Sequence, residues 1–214
     1  MTTIREIMFA SPIMPVIVLE RIDDAVPLAE ALVSGGIRVL EVTMRTPVAL
    51  DCVRAIRAAV PDAIVGVGTI TNIADLNAAR AAGAAFGVSP GTTAELLVHA
   101  HGSGFPFLPG AMTPSDVMRT LDAGFTAMKL FPARQAGGID MLKALGGPFP
   151  QVLFCPTGGI DGESAATYLA LPNVACVGGS WLAPATLIDN QDWDEIRSRA
   201  HQAALLARHL NKHN

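Results

Sequence analysis

Aromatic side chains are scarce in this sequence: they make up 5% of its 214 residues, although half of the chain is hydrophobic. The core must therefore be built mainly from Ala, Val, Ile, Leu and Met. No basic block is present either, and the net charge of −4 argues against nucleic acid as a partner. The length suits one sizeable core, so we expect a single domain over residues 1–214.

Cysteine is equally rare. Cys52, Cys155 and Cys176 are widely spaced and each lies in an apolar segment, which predicts reduced core thiols of a cytoplasmic protein rather than a disulfide framework or a metal cluster. The N-terminal residues lack the clean apolar stretch of a secretory signal. Residues 164–188 carry no charge, but prolines and glycines interrupt them, so we expect no membrane span.

Short apolar runs recur along the chain, each followed by an Ala-rich, polar-striped segment typical of a helix. The runs are 13–19, 37–44, 63–69, 85–90, 105–112, 126–132, 152–159 and 173–180. Continuously apolar strands indicate a parallel sheet covered on both faces, and eight of them predict a (β/α)8 TIM barrel. The alternative, a doubly wound open sheet, would normally carry a GxGxxG turn after its first strand, which is missing here. Residues 2–11 are predicted to form an extra helix that closes the barrel floor.

Lysine is rare, and one of the three lysines, Lys129, lies inside the apolar run TAMKLFP. Side chains alternate along a strand, so Lys129 and Phe131 are expected to face the barrel interior. The same alternation turns Glu41 inward on the second run, with Arg45 near the rim, while Thr69 ends the third run at the mouth. A buried Lys and Glu can form a purely structural pair, but this mouth carries more polar groups than such a pair needs.

Two glycine pairs follow the seventh and eighth runs, in PTGGIDGESA and VGGSWLAP. Loops at these positions of a barrel commonly bind phosphate, because glycine lets backbone N–H groups approach the oxygens and a helix N-terminus favours the anion. Either pair alone is also compatible with an ordinary turn. Together they favour a phosphate site.

Histidine ligands are missing from the predicted active face. His99 and His101 end a helix on the barrel floor, and the others belong to the C-terminal helix and tail: His201, His209 and His213. The sequence therefore gives little support to a catalytic metal. It also contains no nucleophile elbow and no P-loop signature.

A lysine in an apolar barrel suggests imine chemistry. Desolvation, helped by a cationic neighbour, lowers the pKa of an amine and frees it to attack a ketone. Glu41 is the inward carboxylate available for proton transfer, Arg45 can hold a substrate carboxylate, and the glycine loops can hold a phosphate. These features predict a class I aldolase acting on a phosphorylated 2-oxo acid. A sugar-phosphate isomerase, or a binding protein without imine chemistry, would use the same loops.

The chain resembles the 2-dehydro-3-deoxy-6-phosphogluconate (KDPG) and 4-hydroxy-2-oxoglutarate (KHG) aldolase family from about Pro15 to Pro184. The segments that carry the resemblance are PVIVL, LEVTMRTP, VGVGTI, FGVSPG, PGAMTPS, MKLFPA, CPTGGI and VGGSWLAP. It implies a lyase of the Entner–Doudoroff pathway that needs no metal or cofactor and forms a homotrimer. It also implies cleavage of KDPG to pyruvate and glyceraldehyde 3-phosphate, and of KHG to pyruvate and glyoxylate. A related branch acts on the galactonate epimer.

The resemblance further implies roles for individual residues. Lys129 would form the Schiff base and Glu41 would transfer protons. The remaining implied contacts are Arg45 and Thr69 at the pyruvyl end, Pro90, Phe131 and Thr157 lining the site, and Gly158, Gly159, Gly179 and Ser180 at the phosphate.

Overall fold

Strands and helices alternate along the chain in the computed structural model, which describes residues 2–210, with side chains through Leu206. The strands are β1 (Ile13–Ile17), β2 (Val39–Thr43), β3 (Ile64–Gly68), β4 (Gly87–Val88), β5 (Phe107–Leu108), β6 (Gly110–Ala111), β7 (Ala127–Leu130), β8 (Leu153–Pro156) and β9 (Val177–Gly179). The helices are α1 (Ile4–Phe9), α2 (Ala25–Ser34), α3 (Ala49–Ala59), α4 (Ile73–Ala81), α5 (Ala94–Gly102), α6 (Pro114–Asp122), α7 (Gly138–Gly146), α8 (Gly162–Leu169), α9 (Ala185–Asp189) and α10 (Trp193–Leu210).

The strands form a closed parallel barrel, as the sequence predicts. One sheet has the order β5-β4-β3-β2-β1-β9 and the other the order β6-β7-β8. Parallel bridges from Phe154 to Val174 and from Thr157 to Gly178 join β8 to the segment of β9. On the other side, β5 of the first sheet and β6 of the second are separated by Pro109 alone, so the chain itself joins the two sheets.

The fifth apolar run differs from the prediction of one strand. Pro109 divides it into β5, which pairs with β4, and β6, which pairs with β7. A proline has no N–H to donate to a ladder, so Pro109 gives no donor to β4, while its carbonyl oxygen accepts from the Lys129 N–H at 2.8 Å on the β7 side. The wall nevertheless occupies one position in the barrel, and the eightfold arrangement is retained.

The predicted floor helix is confirmed as α1. Thr3 caps it in a reciprocal arrangement with Glu6. Ile7 and Met8 are buried in the same interior cluster as Met14, near the start of β1. These side chains pack at the N-terminal end of the barrel.

Alternation along β7 divides its side chains as predicted. Met128 and Leu130 belong to the large core cluster between the strands and the helices, whereas Ala127 belongs to the interior cluster. Lys129 therefore points inward. Counting β5 and β6 as one position, β2 and β7 lie opposite each other in the ring of eight.

The uncharged segment 164–188 contains the end of α8, strand β9 and the start of α9. Among the helices that the structure describes, none is long and apolar enough to cross a membrane. Cys52, Cys155 and Cys176 are buried free thiols, as the sequence predicts.

Candidate active site

A buried ion pair spans the barrel interior. Lys129 Nζ donates to Glu41 Oε1 at 3.0 Å and to Oε2 at 3.3 Å. The Lys129 side chain is 6% exposed and the Glu41 side chain 2%. Because the two residues come from opposite strands, β7 and β2, their pairing places both functional groups on the barrel axis. The two residues that the sequence turned inward are thus brought into direct contact.

The wall around this pair is mostly apolar, with a few neutral polar groups. Lys129 Nζ lies 5.3 Å from the centre of the Phe131 ring, within the range of a cation–π contact. Thr157 follows β8 and its hydroxyl donates to the carbonyl oxygen of Cys155 at 3.3 Å. Cys155 is the register partner of Lys129 on the neighbouring strand. Phe131 therefore lies beside the ion pair, and Thr157 follows the strand that neighbours Lys129.

A second thiol, Cys176, lies fully buried in the same interior cluster. Its hydrogen bond with Cys155 and its burial raise its thiol pKa well above the usual range, and the charge of Glu41 adds to the effect. A thiol with a raised pKa stays protonated near neutral pH and is a weak nucleophile. The amine of Lys129 is therefore the stronger candidate for covalent chemistry.

Two glycines make room for these side chains: Gly68, for which the sequence predicted no role, and Gly178, a member of the second predicted glycine pair. A Cβ on Gly68 would overlap Glu41, reaching its Cγ at 2.7 Å, and a Cβ on Gly178 would overlap the Thr157 side chain. Gly68 ends β3 and Gly178 is the middle residue of β9. The close approach explains why the positions lack side chains, and it depends on the register between neighbouring strands, β2 with β3 and β8 with β9, which the sequence does not reveal.

The remaining residues expected at the substrate end lie around the mouth. Arg45 follows β2 and is exposed. Thr69 follows β3 with a φ of 64°, a left-handed conformation that is unusual for a β-branched residue and is often found at functional sites. Pro90 follows β4, and its carbonyl group lies against Gly110 closely enough to exclude a Cβ there.

One expectation about this site is wrong. Sequence reasoning supposed that a cation next to Lys129 would favour the free amine, but the charged group in contact with Nζ is the carboxylate of Glu41. Arg45, which the sequence places near the rim, is exposed there and forms no ion pair with any residue that the structure describes. The amine can therefore be freed by passing its proton to Glu41.

The glycine loop after β8 presents backbone donors. Gly158 and Gly159 both have positive φ, 103° and 75°, a conformation that glycine adopts without strain. Within residues 2–210, the backbone N–H groups of Gly159 and Ile160 have no backbone acceptor. Consecutive free N–H groups of this kind form a concave site for an anion.

The loop after β9 lies beside it, since the backbone of Thr157 bridges to Gly178. Gly179 is buried and Ser180 is exposed. A Cβ on Gly179 would overlap the ring of Trp181, which packs against this position. The two glycine pairs predicted from the sequence are therefore brought together at one edge of the mouth.

The start of α8 differs in detail from the expected anion site. Asp161 caps this helix: its Oδ1 accepts from the Ser164 backbone at 2.9 Å and from the Ser164 hydroxyl at 2.7 Å. A carboxylate thus already occupies the helix N-terminus. The free donors of the glycine loop, rather than the end of α8, are the groups available to a phosphate.

Within the part of the chain that the structure describes, no three His, Cys, Asp or Glu side chains lie together as metal ligands. His99 accepts or donates one hydrogen bond with Asn77 at 3.2 Å, and His99 and His101 lie in the last turn of α5, at the floor of the barrel as predicted. The side chain of His209 and all of Lys212 and His213 lie outside the described residues.

Comparison with known proteins agrees with this geometry. A model of the family "KDPG and KHG aldolase" matches residues 4–199. A 2-dehydro-3-deoxy-phosphogluconate aldolase of Pseudoalteromonas atlantica is 50% identical over 199 residues, which cover 93% of each chain. The KHG/KDPG aldolase of Escherichia coli strain K12 is 48% identical over 202 residues, covering 94% of this chain and 95% of the relative.

A solved structure is similar over the same length. The KDPG aldolase of Legionella pneumophila, with pyruvate captured at low pH as a covalent carbinolamine intermediate, superposes with a TM-score of 0.93. It is 47% identical in sequence, and the match covers 95% of this chain and 98% of the other. The chain described here belongs to the KDPG and KHG aldolase family.

Proposed function

We propose that this protein is a class I aldolase that cleaves KDPG to pyruvate and glyceraldehyde 3-phosphate. The observation that carries the proposal is the buried pair of Lys129 Nζ and Glu41 Oε1 at 3.0 Å, located where a barrel enzyme holds its substrate. An amine that can pass its proton to an adjacent carboxylate can attack a ketone. The names of the family relatives support KDPG as the substrate.

The reaction begins with transfer of a proton from Lys129 to Glu41. The free amine attacks the C2 ketone, and Glu41 returns the proton to the carbonyl oxygen to form a carbinolamine. The nitrogen then gives up a proton to Glu41, which passes it to the hydroxyl group, and water leaves. The product is a protonated imine at Lys129 with Glu41 again ionised.

The protonated imine then accepts electrons from the bond to be broken. Glu41 takes the proton of the C4 hydroxyl, the bond between C3 and C4 breaks, and glyceraldehyde 3-phosphate leaves as the aldehyde. The electron pair forms an enamine on Lys129. Glu41 protonates C3 of the enamine, and hydrolysis of the resulting imine by the reverse of the first steps releases pyruvate. One carboxylate within hydrogen-bond distance of the amine can serve every proton transfer.

The polar groups at the mouth fit the two ends of this substrate. We assign the pyruvyl carboxylate to Arg45 and Thr69, because a guanidinium pairs well with a carboxylate. Phe131, Thr157 and Pro90 line the reacting carbons. The phosphate is assigned to the glycine loops, by the backbone of Gly158, Gly159 and Gly179 and by Ser180. The groups assigned to the phosphate are separate from Lys129 and Glu41, so pyruvate, which has no phosphate, can still form the imine.

KHG is a second substrate that the same machinery would cleave, to pyruvate and glyoxylate. It shares the carboxylate, the ketone at C2 and the hydroxyl at C4 with KDPG, so the imine steps are identical. It lacks the phosphate, and the glycine loops would add nothing to its binding. We therefore expect KHG to be cleaved with a lower kcat/KM than KDPG.

A direct assay tests the proposal. Purified protein is incubated with KDPG in the presence of EDTA, and pyruvate release is followed with lactate dehydrogenase and NADH. Pyruvate and glyceraldehyde 3-phosphate should appear in equal amounts, and the galactonate epimer should be cleaved more slowly. Isomerisation of KDPG without C–C cleavage, or binding without turnover, would favour a sugar-phosphate isomerase or binding protein instead. Activity that EDTA removes and a divalent cation restores would contradict the metal-free mechanism.

We also propose that residues 1–214 form one barrel domain and that the protein is a cytoplasmic homotrimer. The resemblance to the family supports the trimer, and exposed apolar side chains on neighbouring helices, Val98 on α5 and Met118 on α6, offer surface that a subunit contact would cover. Three buried free thiols suit a reducing compartment. Light scattering coupled to size exclusion should give three times the chain mass, and a monomer would refute the trimer.

A further inference from the structure

Arg134 lies against the glycine loop after β8, and the reaction described above does not use it. Its backbone N–H donates to the carbonyl oxygen of Gly158 at 3.1 Å. A Cβ on Gly159 would lie 2.6 Å from Arg134 Cβ and 2.7 Å from its Cδ. The aliphatic part of the side chain therefore covers Gly159, and only glycine tolerates this approach.

A negative charge beside the glycine loop would oppose phosphate binding unless a cation offsets it. Asp161, two residues beyond Gly159, is exposed and carries its negative charge at the edge of the proposed phosphate position. Hydrogen bonds from Ser164 lower the pKa of Asp161, and the positive charge of Arg134 lowers it further. Asp161 is therefore ionised at neutral pH, and without a nearby cation it would repel a phosphate dianion.

Arg134 is available for this role because nothing else engages its charge. It forms no ion pair and no side-chain hydrogen bond with the residues that the structure describes. The other cation near the glycine loops, Arg199, is held by Glu195 at 2.7 Å and by the carbonyl oxygen of Trp181 at 3.0 Å. Arg199 is therefore neutralised, whereas Arg134 is exposed and unpaired within the described part of the chain.

We propose that Arg134 is a specificity-determining residue that offsets the charge of Asp161 and attracts the phosphate end of the substrate to the loop of Gly158 and Gly159. This inference rests on the phosphate position proposed above. It predicts that Arg134 raises affinity for phosphorylated ligands and leaves the chemistry at Lys129 unchanged. The charge acts at a distance through solvent, so its effect depends on ionic strength.

The test replaces the charge while keeping the shape of the side chain. Binding of inorganic phosphate is measured by isothermal titration calorimetry at low salt for the unsubstituted protein and for Arg134→Gln and Arg134→Lys. We expect Arg134→Gln to weaken phosphate binding by about 3- to 10-fold, and Arg134→Lys to retain most of the affinity. The difference between Gln and Arg should shrink at high salt.

Cleavage of two substrates provides a second readout. Arg134→Gln should lower kcat/KM for KDPG by about the same 3- to 10-fold and leave kcat/KM for KHG, which has no phosphate, unchanged. Asp161→Asn retains a capping side chain and removes the repelling charge, so it should tighten phosphate binding and recover part of the loss in the double variant. Arg80→Gln is the matched control: Arg80 is also exposed but lies in the last turn of α4, at the floor.

Several results would overturn the inference. Unchanged phosphate binding in Arg134→Gln, an equal loss for KDPG and KHG, or an equal effect of Arg80→Gln would each show that Arg134 does not act on the phosphate. Failure of the unsubstituted protein to bind phosphate would also overturn it. That failure is distinguishable from failure of the aldolase proposal, because trapping of pyruvate on Lys129 requires no phosphate.

Discussion

Replacing Glu41 by Gln removes the group that is proposed to carry protons between Lys129 and the substrate. The amide has the same shape as the carboxylate. The side chain is only 2% exposed, so solvent has little access to this position and cannot readily replace the carboxylate as proton carrier. The substitution therefore tests one function, proton transfer, with little change in packing.

The size of the effect follows from the contact with Lys129. At 3.0 and 3.3 Å from Nζ, the two Glu41 oxygens are within direct proton-transfer distance. General acid–base catalysis by a group so placed contributes about 10²- to 10⁴-fold. This corresponds to about 3–5 kcal/mol of activation free energy. We expect kcat for KDPG to fall by this factor, with imine trapping at Lys129 slowed but not abolished.

The assay combines turnover with a check on folding. Steady-state pyruvate release gives kcat, and calorimetric titration with inorganic phosphate shows whether the mouth of the barrel is intact. Since the glycine loops do not contact Glu41, phosphate affinity should stay within about twofold. Glu30→Gln, an exposed substitution on α2, should change neither quantity.

Near-normal kcat in a folded Glu41→Gln protein would refute the assignment of proton transfer to Glu41. A loss of turnover accompanied by loss of phosphate binding would point to disturbed folding, and circular dichroism in the near ultraviolet would then show altered packing. In that case Glu41→Asp, which keeps the charge and withdraws the carboxylate, should fold and still lose most of its turnover if the position of the carboxylate matters.

Three further predictions concern positions near and away from this pair. Gly68→Ala would push the Glu41 side chain out of place and should lower kcat by at least about tenfold. Gly91→Ala, whose Cβ meets open space, should have no effect. Equal activities of the two variants would show that the close approach of Gly68 to Glu41 is not needed. Gly179→Val should displace the Trp181 ring, which lies where the new Cβ would be, and crowd the backbone that is proposed to meet the phosphate. The value of kcat/KM for KDPG should fall while pyruvate trapping is retained, and a loss of trapping as well would mean that the two parts of the site are not separable. Burial, with a smaller effect of the nearby Asp51 charge, raises the pKa of Cys52 from 9.0 to about 11. Because the unfolded thiol ionises first, the stability that Cys52 contributes is lost as pH rises from about 9 to about 11. In urea titrations, Cys52→Ala should therefore lose less stability over that pH range than the unsubstituted protein.

The fold follows from the sequence because its signals are local and repeated. Eight apolar runs at regular spacing specify strands that must be covered on both faces, and the helices between them supply that cover. The division of the fifth run was not predicted, although Pro109 is visible in the sequence. A proline is tolerated where the ladder changes from one neighbour to another, and that change depends on how the barrel closes.

The inward direction of Lys129 and Glu41 also follows from the sequence, since alternation fixes the face of each side chain. Their contact follows from the count of strands: the second and sixth positions of a ring of eight are opposite. The position of Arg45 at the rim follows as well, because it lies beyond Glu41 toward the end of the same run. The overlap that Gly68 avoids depends on the register of β2 against β3, which the sequence does not give.

The cap of α8 is a feature that the sequence could have revealed. Asp161 and Ser164 have the spacing of a capping box, in which each side chain accepts a hydrogen bond from the backbone N–H of the other residue. Recognising it would have shown that a carboxylate occupies the end of α8. The choice between KDPG and its C4 epimer lies beyond such reasoning, because it depends on the orientation of one hydroxyl group in the bound substrate.

The most direct test of the central proposal is reductive trapping of pyruvate. The protein is incubated with pyruvate and sodium borohydride, digested, and analysed by mass spectrometry. The imine mechanism predicts irreversible inactivation, with one carboxyethyl group attached to Lys129 and no modification in Lys129→Met. Modification at Lys143 instead, or full activity after treatment, would contradict the assignment of Lys129 as the residue that forms the Schiff base.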